Sequence, residues 1–238
     1  MSEPLAHAAR GKLAVSEQFC SVQGEGASAG APCVFLRLAH CNLRCRWCDT
    51  KYSWDFAQFR FEDEVKVERT EAVAERITSE ARGRLVVTGG EPLIQRAELE
   101  ALFALLAPEL VIEIETNGTL APGARLLERV NQWNVSPKLA NSGDPLEKRL
   151  RPDVLAVFSR SERAYLKLVV ADPSELAEVE ALVSASEWPR ERVLLMPQAA
   201  TRLELSARGP LVRAAALARG LRYSSRLHVE RWDGARGK

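Results

Sequence analysis

The 238-residue chain has almost no net charge: 33 Lys and Arg stand against 32 Asp and Glu, a formal +1. A strongly basic surface, the usual footprint of nucleic-acid binding, is therefore not expected, and a small molecule is the better first partner. No apolar run approaches the ~18 residues of a membrane span, and residues 1–12 carry no apolar signal core, so no membrane contact and a cytoplasmic setting are expected. No Gly/Ser-rich or Pro-rich stretch divides the chain and no short period repeats. Residues 1–238 thus read as one domain. Cysteine is scarce as well, and its odd count of five does not suit a disulfide framework. With 46% hydrophobic and 27% charged residues, what remains is an ordinary globular chain long enough to bury a core.

From about residue 34 onward, short β-branched runs alternate with helical patterns. The expected strands are 34–38, 85–88, 110–115, 134–136, 165–170, 193–197 and 227–230. The expected helices are 70–81, 96–106, 123–132, 173–186 and 203–219. Leu176, Val179, Leu182 and Val183, for example, recur on one helix face. Such alternation points to α/β architecture with a mainly parallel sheet, open and doubly wound or curled towards a (β/α) barrel. Polar motifs favour the barrel: Thr88-Gly89-Gly90-Glu91-Pro92, Glu115-Thr116-Asn117-Gly118, Ser136-Pro137-Lys138 and Met196-Pro197-Gln198 each fall at the C-terminal end of a different strand. In a barrel these ends meet on one face, where active sites are built. Any one of them alone would be an ordinary βα turn.

Three of the five cysteines fall within Cys41-Asn42-Leu43-Arg44-Cys45-Arg46-Trp47-Cys48-Asp49-Thr50, directly after an expected strand. Three thiolates on one loop suit zinc or an iron–sulfur cluster. Zinc would need a fourth protein ligand, for which Cys20, Cys33 and His228 are candidates, whereas a four-iron cluster held by three cysteines keeps one iron open. Cys20 and Cys33 fit no ligand spacing and are expected to be small buried residues.

The C-x3-C-x2-C motif followed by Gly-Gly-Glu-Pro resembles the radical S-adenosylmethionine superfamily. Within it, the segments Glu17-Gln18-Phe19-Cys20-Ser21-Val22-Gln23-Gly24-Glu25-Gly26, Phe35-Leu36-Arg37-Leu38, Trp47-Cys48-Asp49-Thr50, Glu115-Thr116-Asn117-Gly118-Thr119 and Leu227-His228-Val229 resemble the 7-carboxy-7-deazaguanine synthase family. The similarity runs from about residue 13 to the C-terminus.

That resemblance implies an abridged, partial (β/α) barrel whose N-terminal strand segment, at about residues 13–33, carries a substrate-binding strip. It implies a [4Fe-4S] cluster on Cys41, Cys45 and Cys48, with S-adenosylmethionine on the open iron, and Mg²⁺ at Thr50. Cofactor contacts are expected from Trp47, Cys48, Asp49, Gly90, Glu91, Ser136, Pro137, Lys138 and Gln198, and substrate contacts from Val22, Gln23, Gly24, Arg37, Thr88 and His228. The implied reaction converts 6-carboxy-5,6,7,8-tetrahydropterin to 7-carboxy-7-deazaguanine with release of ammonia, a carbon–nitrogen lyase step in queuosine and 7-deazapurine biosynthesis, a tRNA modification pathway. An electron donor such as flavodoxin or ferredoxin, and a homodimer, are carried over with it.

The residue types fit those roles. The Gln23 amide has donors and an acceptor to read a pterin edge. The Arg37 fork suits a carboxylate. Gly89 and Gly90 let a ligand approach the backbone, and Glu91 can accept from an ammonium or orient the turn. Asp49 or Thr50 could alternatively cap a helix. Two rival functions remain open on sequence: an activase that makes a glycyl radical on a partner protein, and a zinc-knuckle module that binds RNA or protein.

Overall fold

The computed structural model describes residues 10–81 and 83–238, so most of the 1–12 segment lies outside the described residues. Its strands are β1 (Lys12–Val22), β2 (Pro32–Leu38), β3 (Lys66–Arg69), β4 (Arg84–Gly89), β5 (Val111–Thr116), β6 (Gln132–Val135), β7 (Ala164–Val170), β8 (Val193–Pro197) and β9 (Arg222–Tyr223). They form one sheet in the order β3-β1-β2-β4-β5-β6-β7-β8-β9. Pairing is antiparallel where β1 meets β2 and β3, and parallel from β2 through β9. The sheet does not close, so the mainly parallel, partial barrel expected from sequence is what forms.

The helices are α1 (Phe61–Glu64), α2 (Thr70–Glu80), α3 (Arg96–Leu105), α4 (Ala124–Arg129), α5 (Leu146–Arg149), α6 (Pro152–Ser159), α7 (Leu176–Ala185), α8 (Arg202–Ala218) and α9 (Leu227–Trp232). Four of the five expected helices appear at almost the expected bounds as α2, α3, α7 and α8. The fifth, 123–132, shrinks to α4. Asn131 already bonds to Ile112 through backbone and side chain, which draws the chain into β6.

Residues 227–230 are not a strand. They lie in α9, and the edge position beside β8 is taken by β9. Periodicity cannot separate helix from strand in so short an apolar run. Burial decided it: Val229 packs against Ala199 and Leu205 below the helix instead of pairing in the sheet.

Strand alternation divides the sheet into two unlike faces. Leu36, Leu85, Ile112, Ile114, Trp133, Leu166 and Leu195 face the helices and join Val73, Ile77, Leu99, Leu102, Phe158, Val179 and Val212 in the main core. The opposite, concave face carries Arg37, Thr88, Glu113, Glu115, Asn134 and Lys167, as the pairing register requires. Barrel interiors are commonly filled by branched apolar side chains. This one carries hydrogen-bonded charges beside a small apolar cluster of Cys33, Phe35 and Val86, and that places the site.

Candidate active site

At the C-terminal ends of the parallel strands lies a cavity of about 400 Å³. Cys41, Cys45, Cys48, Trp47, Asp49, Thr50, Gly90, Ser136, Lys138 and Gln198 line it, and so do Val22, Gln23, Gly24, Arg37, Thr88 and His228. Of the expected site residues only Glu91 and Pro137 are not in its wall. Segments up to about two hundred residues apart therefore converge on one space.

The cysteine loop leaves β2 through His40, whose φ of 73° turns the chain sharply. Three bonds from residues 141–144 hold it: Arg46 N–H donates to Ser142 O at 2.9 Å, Arg44 N–H to Asp144 Oδ1 at 3.0 Å, and Trp47 Nε1 to Asn141 Oδ1 at 3.0 Å. On the other side Asn42 Nδ2 donates to Thr119 Oγ1 at 2.7 Å. The Glu-Thr-Asn-Gly-Thr segment at the end of β5 thus braces this loop.

Burial pushes the Cys41 and Cys45 thiols up to about 12, so both stay protonated until a metal supplies positive charge. N–H groups already point at two sulfurs: Leu43 N to Cys41 Sγ at 3.5 Å and Trp54 Nε1 to Cys48 Sγ at 3.3 Å. Such donors tune iron–sulfur clusters, and the thiol set fits one. Among the described residues no three His, Cys, Asp or Glu side chains converge on the volume of one metal ion, whereas structural zinc needs four. A four-iron cluster is larger, and thiols spread around it need not meet at a point. Cys20, a possible fourth zinc ligand, is exposed and not buried as expected, because it sits on the outer portion of β1; Cys33 is buried.

The Thr50 hydroxyl is not spent on a helix cap. Thr50 precedes a short 3-10 turn (Lys51–Ser53), yet its side chain makes no capping bond and lies 3.6 Å from Cys48 Sγ. Asp49 instead receives the Arg226 guanidinium at 2.5 Å.

A protein-family model described as the radical SAM superfamily matches residues 37–153. The 7-carboxy-7-deazaguanine synthase of Pyrobaculum aerophilum is 40% identical over 228 residues, covering 95% of this chain and 98% of that protein. The enzyme of the same name from Halobacterium salinarum is 34% identical, over 94% of this chain and 91% of its own. The crystal structure of QueE from Escherichia coli superposes with a TM-score of 0.67 at 28% identity, covering 95% and 99% of the two chains.

The chain belongs to the 7-carboxy-7-deazaguanine synthase family.

In this member of the family the glycines of Gly89-Gly90-Glu91-Pro92 line the cavity and serve a second purpose as well. A Cβ on Gly89 would stand 2.1 Å from Leu38 O, and one on Gly90 would stand 2.0 Å from His40 O and 2.9 Å from Cys41 Cβ. Their missing side chains make room for the chain entering the cysteine loop, to which Gly90 N–H and Glu91 N–H bond at Leu38 O and His40 O. Gly90→Ala should therefore displace Cys41. The expected cost is about 1–3 kcal/mol or more of stability, with iron content falling on reconstitution. Full iron loading at an unchanged melting temperature would contradict this.

Glu91 orients the turn. Fully buried, it accepts from Leu93 N–H at 3.0 Å, Thr116 Oγ1 at 2.9 Å and Asn117 N–H at 2.7 Å. Lys138 lies over the Trp47 ring at 5.7 Å and donates to Ser136 Oγ, and the Gln198 carbonyl accepts from Arg208. Arg37 pairs with Glu17 at 2.9 Å, and Thr88 Oγ1 donates to Glu115 Oε2 at 2.8 Å. His228 reaches the site from α9, not from a strand, with its ring seated where a Gly24 side chain would be. Burial pushes its imidazole pKa down.

Sequence reasoning missed the charges behind this wall. Glu25 binds Lys167 Nζ at 2.5 Å and Arg226 Nε at 2.9 Å, and Arg226 continues to Asp49. Two carboxylates and two cations thus form a neutral group that links the strip after β1, the cysteine loop, β7 and the turn before α9. Burial alone would raise the Glu25 pKa, but Lys167 and Arg226 outweigh it and hold it well below the carboxylate range. A signal existed for part of this. A lone Lys in the apolar β7, and Glu113 and Glu115 at alternate positions of β5, mark a polar face on strands that βαβ crossovers would cover on both sides. Nothing local marks Arg226.

Proposed function

We propose that the chain carries out the reaction its relatives are named for, the radical S-adenosylmethionine ring contraction of 6-carboxy-5,6,7,8-tetrahydropterin to 7-carboxy-7-deazaguanine with release of ammonia, a carbon–nitrogen lyase step of 7-deazapurine biosynthesis. One observation carries this reading: the cysteine triad and the segments expected to hold cofactor and substrate line a single cavity. When bound, the [4Fe-4S] cluster and S-adenosylmethionine supply the one-electron chemistry that removes a hydrogen atom from the substrate.

The protein's part is binding, orientation and exclusion of water. Cys41, Cys45 and Cys48 hold the cluster. Trp47, Ser136, Lys138 and Gln198 flank the cofactor, and Gly90 sets its floor. Arg37, though shared with Glu17, faces the cavity and suits the substrate carboxylate. Thr50 offers a hydroxyl to Mg²⁺, which commonly keeps waters and takes one or two protein groups plus substrate. An activase acting on a partner protein would have no use for Arg37 or for the loop after β1 in this wall. A low-potential donor such as flavodoxin or ferredoxin, action on the free pterin without nucleic acid, a homodimer and a cytoplasmic setting complete the proposal. Among the described residues no helix is long and apolar enough to cross a membrane.

The test is to incubate reconstituted, reduced protein with S-adenosylmethionine, Mg²⁺ and the carboxytetrahydropterin and to seek 7-carboxy-7-deazaguanine by mass. Cofactor cleavage without that product would reject the substrate. Thr50→Ala is expected to raise the Mg²⁺ concentration for half-maximal rate by about tenfold or more. An unchanged Mg²⁺ response would remove Thr50 from the metal.

A further inference from the structure

Gln23 was expected to read the substrate with its amide, and in the structure both donors of that amide and one lone pair of its oxygen are engaged by the protein. Its Nε2 donates to Glu113 Oε1 at 2.7 Å and Glu115 Oε1 at 3.2 Å, its Oε1 accepts from Glu25 N–H at 3.1 Å, and the residue is 1% exposed. Its backbone is used too: the N–H donates to Ala31 O, and the carbonyl accepts from Gly30 N–H.

The centre of this arrangement is Glu113, which is fully buried and does not line the cavity. One carboxylate oxygen accepts from Gln23 Nε2 and Asn134 Nδ2, the latter at 2.5 Å. The other accepts from Ser28 Oγ at 2.6 Å and Arg84 NH1 at 3.0 Å. Gln23 opens the loop between β1 and β2 and Ser28 lies five residues further on, so one carboxylate pins that loop at two points. Burial carries a desolvation cost that pushes the Glu113 pKa up, and against it four donors, one of them a guanidinium, converge on the two carboxylate oxygens. A carboxylate retained under that cost is poorly explained as a device for stability alone.

We infer that Glu113 is a positioning residue for the substrate, acting at a distance by locking Gln23 and Ser28 so that the loop of residues 22–31 forms the substrate wall. Gln23 then serves the site through this lock as well as from the cavity wall. The inference rests on the proposed substrate, and its test includes a readout that does not.

In Glu113→Gln one acceptor oxygen becomes a donor facing donors. The expected result is a rise of about tenfold in the KM for the carboxytetrahydropterin, with a much smaller change in kcat, the same S-adenosylmethionine affinity and iron content, and a lower melting temperature, because Arg84 loses its carboxylate partner. Gln23→Leu should raise KM by a similar factor, and the double variant no further, because both break one lock. The kinetics would overturn the inference if KM were unchanged in Glu113→Gln while Gln23→Leu raises it, or if the factors multiplied in the double variant. A lower melting temperature with intact KM would assign Glu113 a purely structural role. If Glu113→Gln fails to fold, Ser28→Ala removes only the second pin; KM should rise about threefold, and no change would count against the lock. Amide exchange of residues 22–31 without ligand separates this inference from the function. Exchange at least about tenfold faster in the variant supports the lock even if the wild-type protein makes no deazaguanine, and unchanged exchange overturns it.

Discussion

Cys45→Ala should abolish both cofactor cleavage and product formation, and the reconstituted protein should lose the iron, sulfide and visible absorbance of a [4Fe-4S] cluster. Cys45 is the least exposed residue of the three loop cysteines at 7%, and Asp144, bonded to both its thiol and the Arg44 N–H, fixes its place. The loop keeps its braces at Ser142, Asn141 and Thr119 when the sulfur is removed. The loss should therefore be chemical, with the fold intact and the melting temperature lowered by little. Two controls sharpen the comparison. Cys33→Ala trims a buried side chain packed with Phe35 and Val86 and should cost about 1 kcal/mol while keeping the cluster. Cys20→Ala, at an exposed position, should change neither. If Cys45→Ala kept its iron and Cys20→Ala lost it, the ligand set would have to be redrawn.

Arg226→Met should be the most damaging single change outside the cysteine loop. The guanidinium bridges Glu25 and Asp49 and also bonds Ala199 O. Its side chain is 10% exposed and that of Glu25 12%, so its removal leaves a buried carboxylate with Lys167 as its remaining close cation. Breaking one partner out of a buried ion pair costs about 3–5 kcal/mol. Asp49, at 42% exposure, regains water and should add little to this. Activity should fall as well, since the strip after β1 and the segment bearing Thr50 lose their common anchor.

The same variant carries a pH signature. In the folded protein the Glu25 pKa lies well below its unfolded value, because Lys167 and Arg226 outweigh the penalty of burial. Its contribution to stability is thus fully present above the ordinary carboxylate range and is lost as pH falls through the lowered folded value. With Arg226 gone, one of the two forces holding that pKa down is removed and the loss begins at higher pH. Melting curves recorded from strongly acidic to neutral pH should show the wild-type and variant temperatures diverging as pH rises through the carboxylate range. Curves that stay parallel would mean that Arg226 does not govern Glu25.

Much of the architecture was legible before the fold was known. The helices at α2, α3, α7 and α8 and the strands from β4 to β8 follow from hydrophobic periodicity and turn residues, which are local properties. The antiparallel β3 and the two-residue β9 were not legible, since short edge strands carry too few residues for a period. α9 was misread for the same reason. Within the site, the cysteine loop and the strand-end motifs were visible because covalent spacing and chain order are written in the sequence. The packing around them was not written there: Gly89 and Gly90 also admit the backbone of residues 38–41, and the Gln23 amide donates to Glu113 and Glu115.

The sequence by itself determined that three thiols lie on one short loop, that a parallel α/β sheet presents its strand ends to one pocket, and which family carries that combination. These follow from near-neighbour spacing and periodicity, which the chain holds before it folds. Only the tertiary structure decided which polar groups satisfy one another. Glu25, Asp49, Lys167 and Arg226, and likewise Gln23, Ser28, Arg84, Glu113 and Asn134, stand far apart along the chain. Their partners are chosen by the cost of burying an unpaired charge, and that cost arises only once the concave face of the sheet has closed around them.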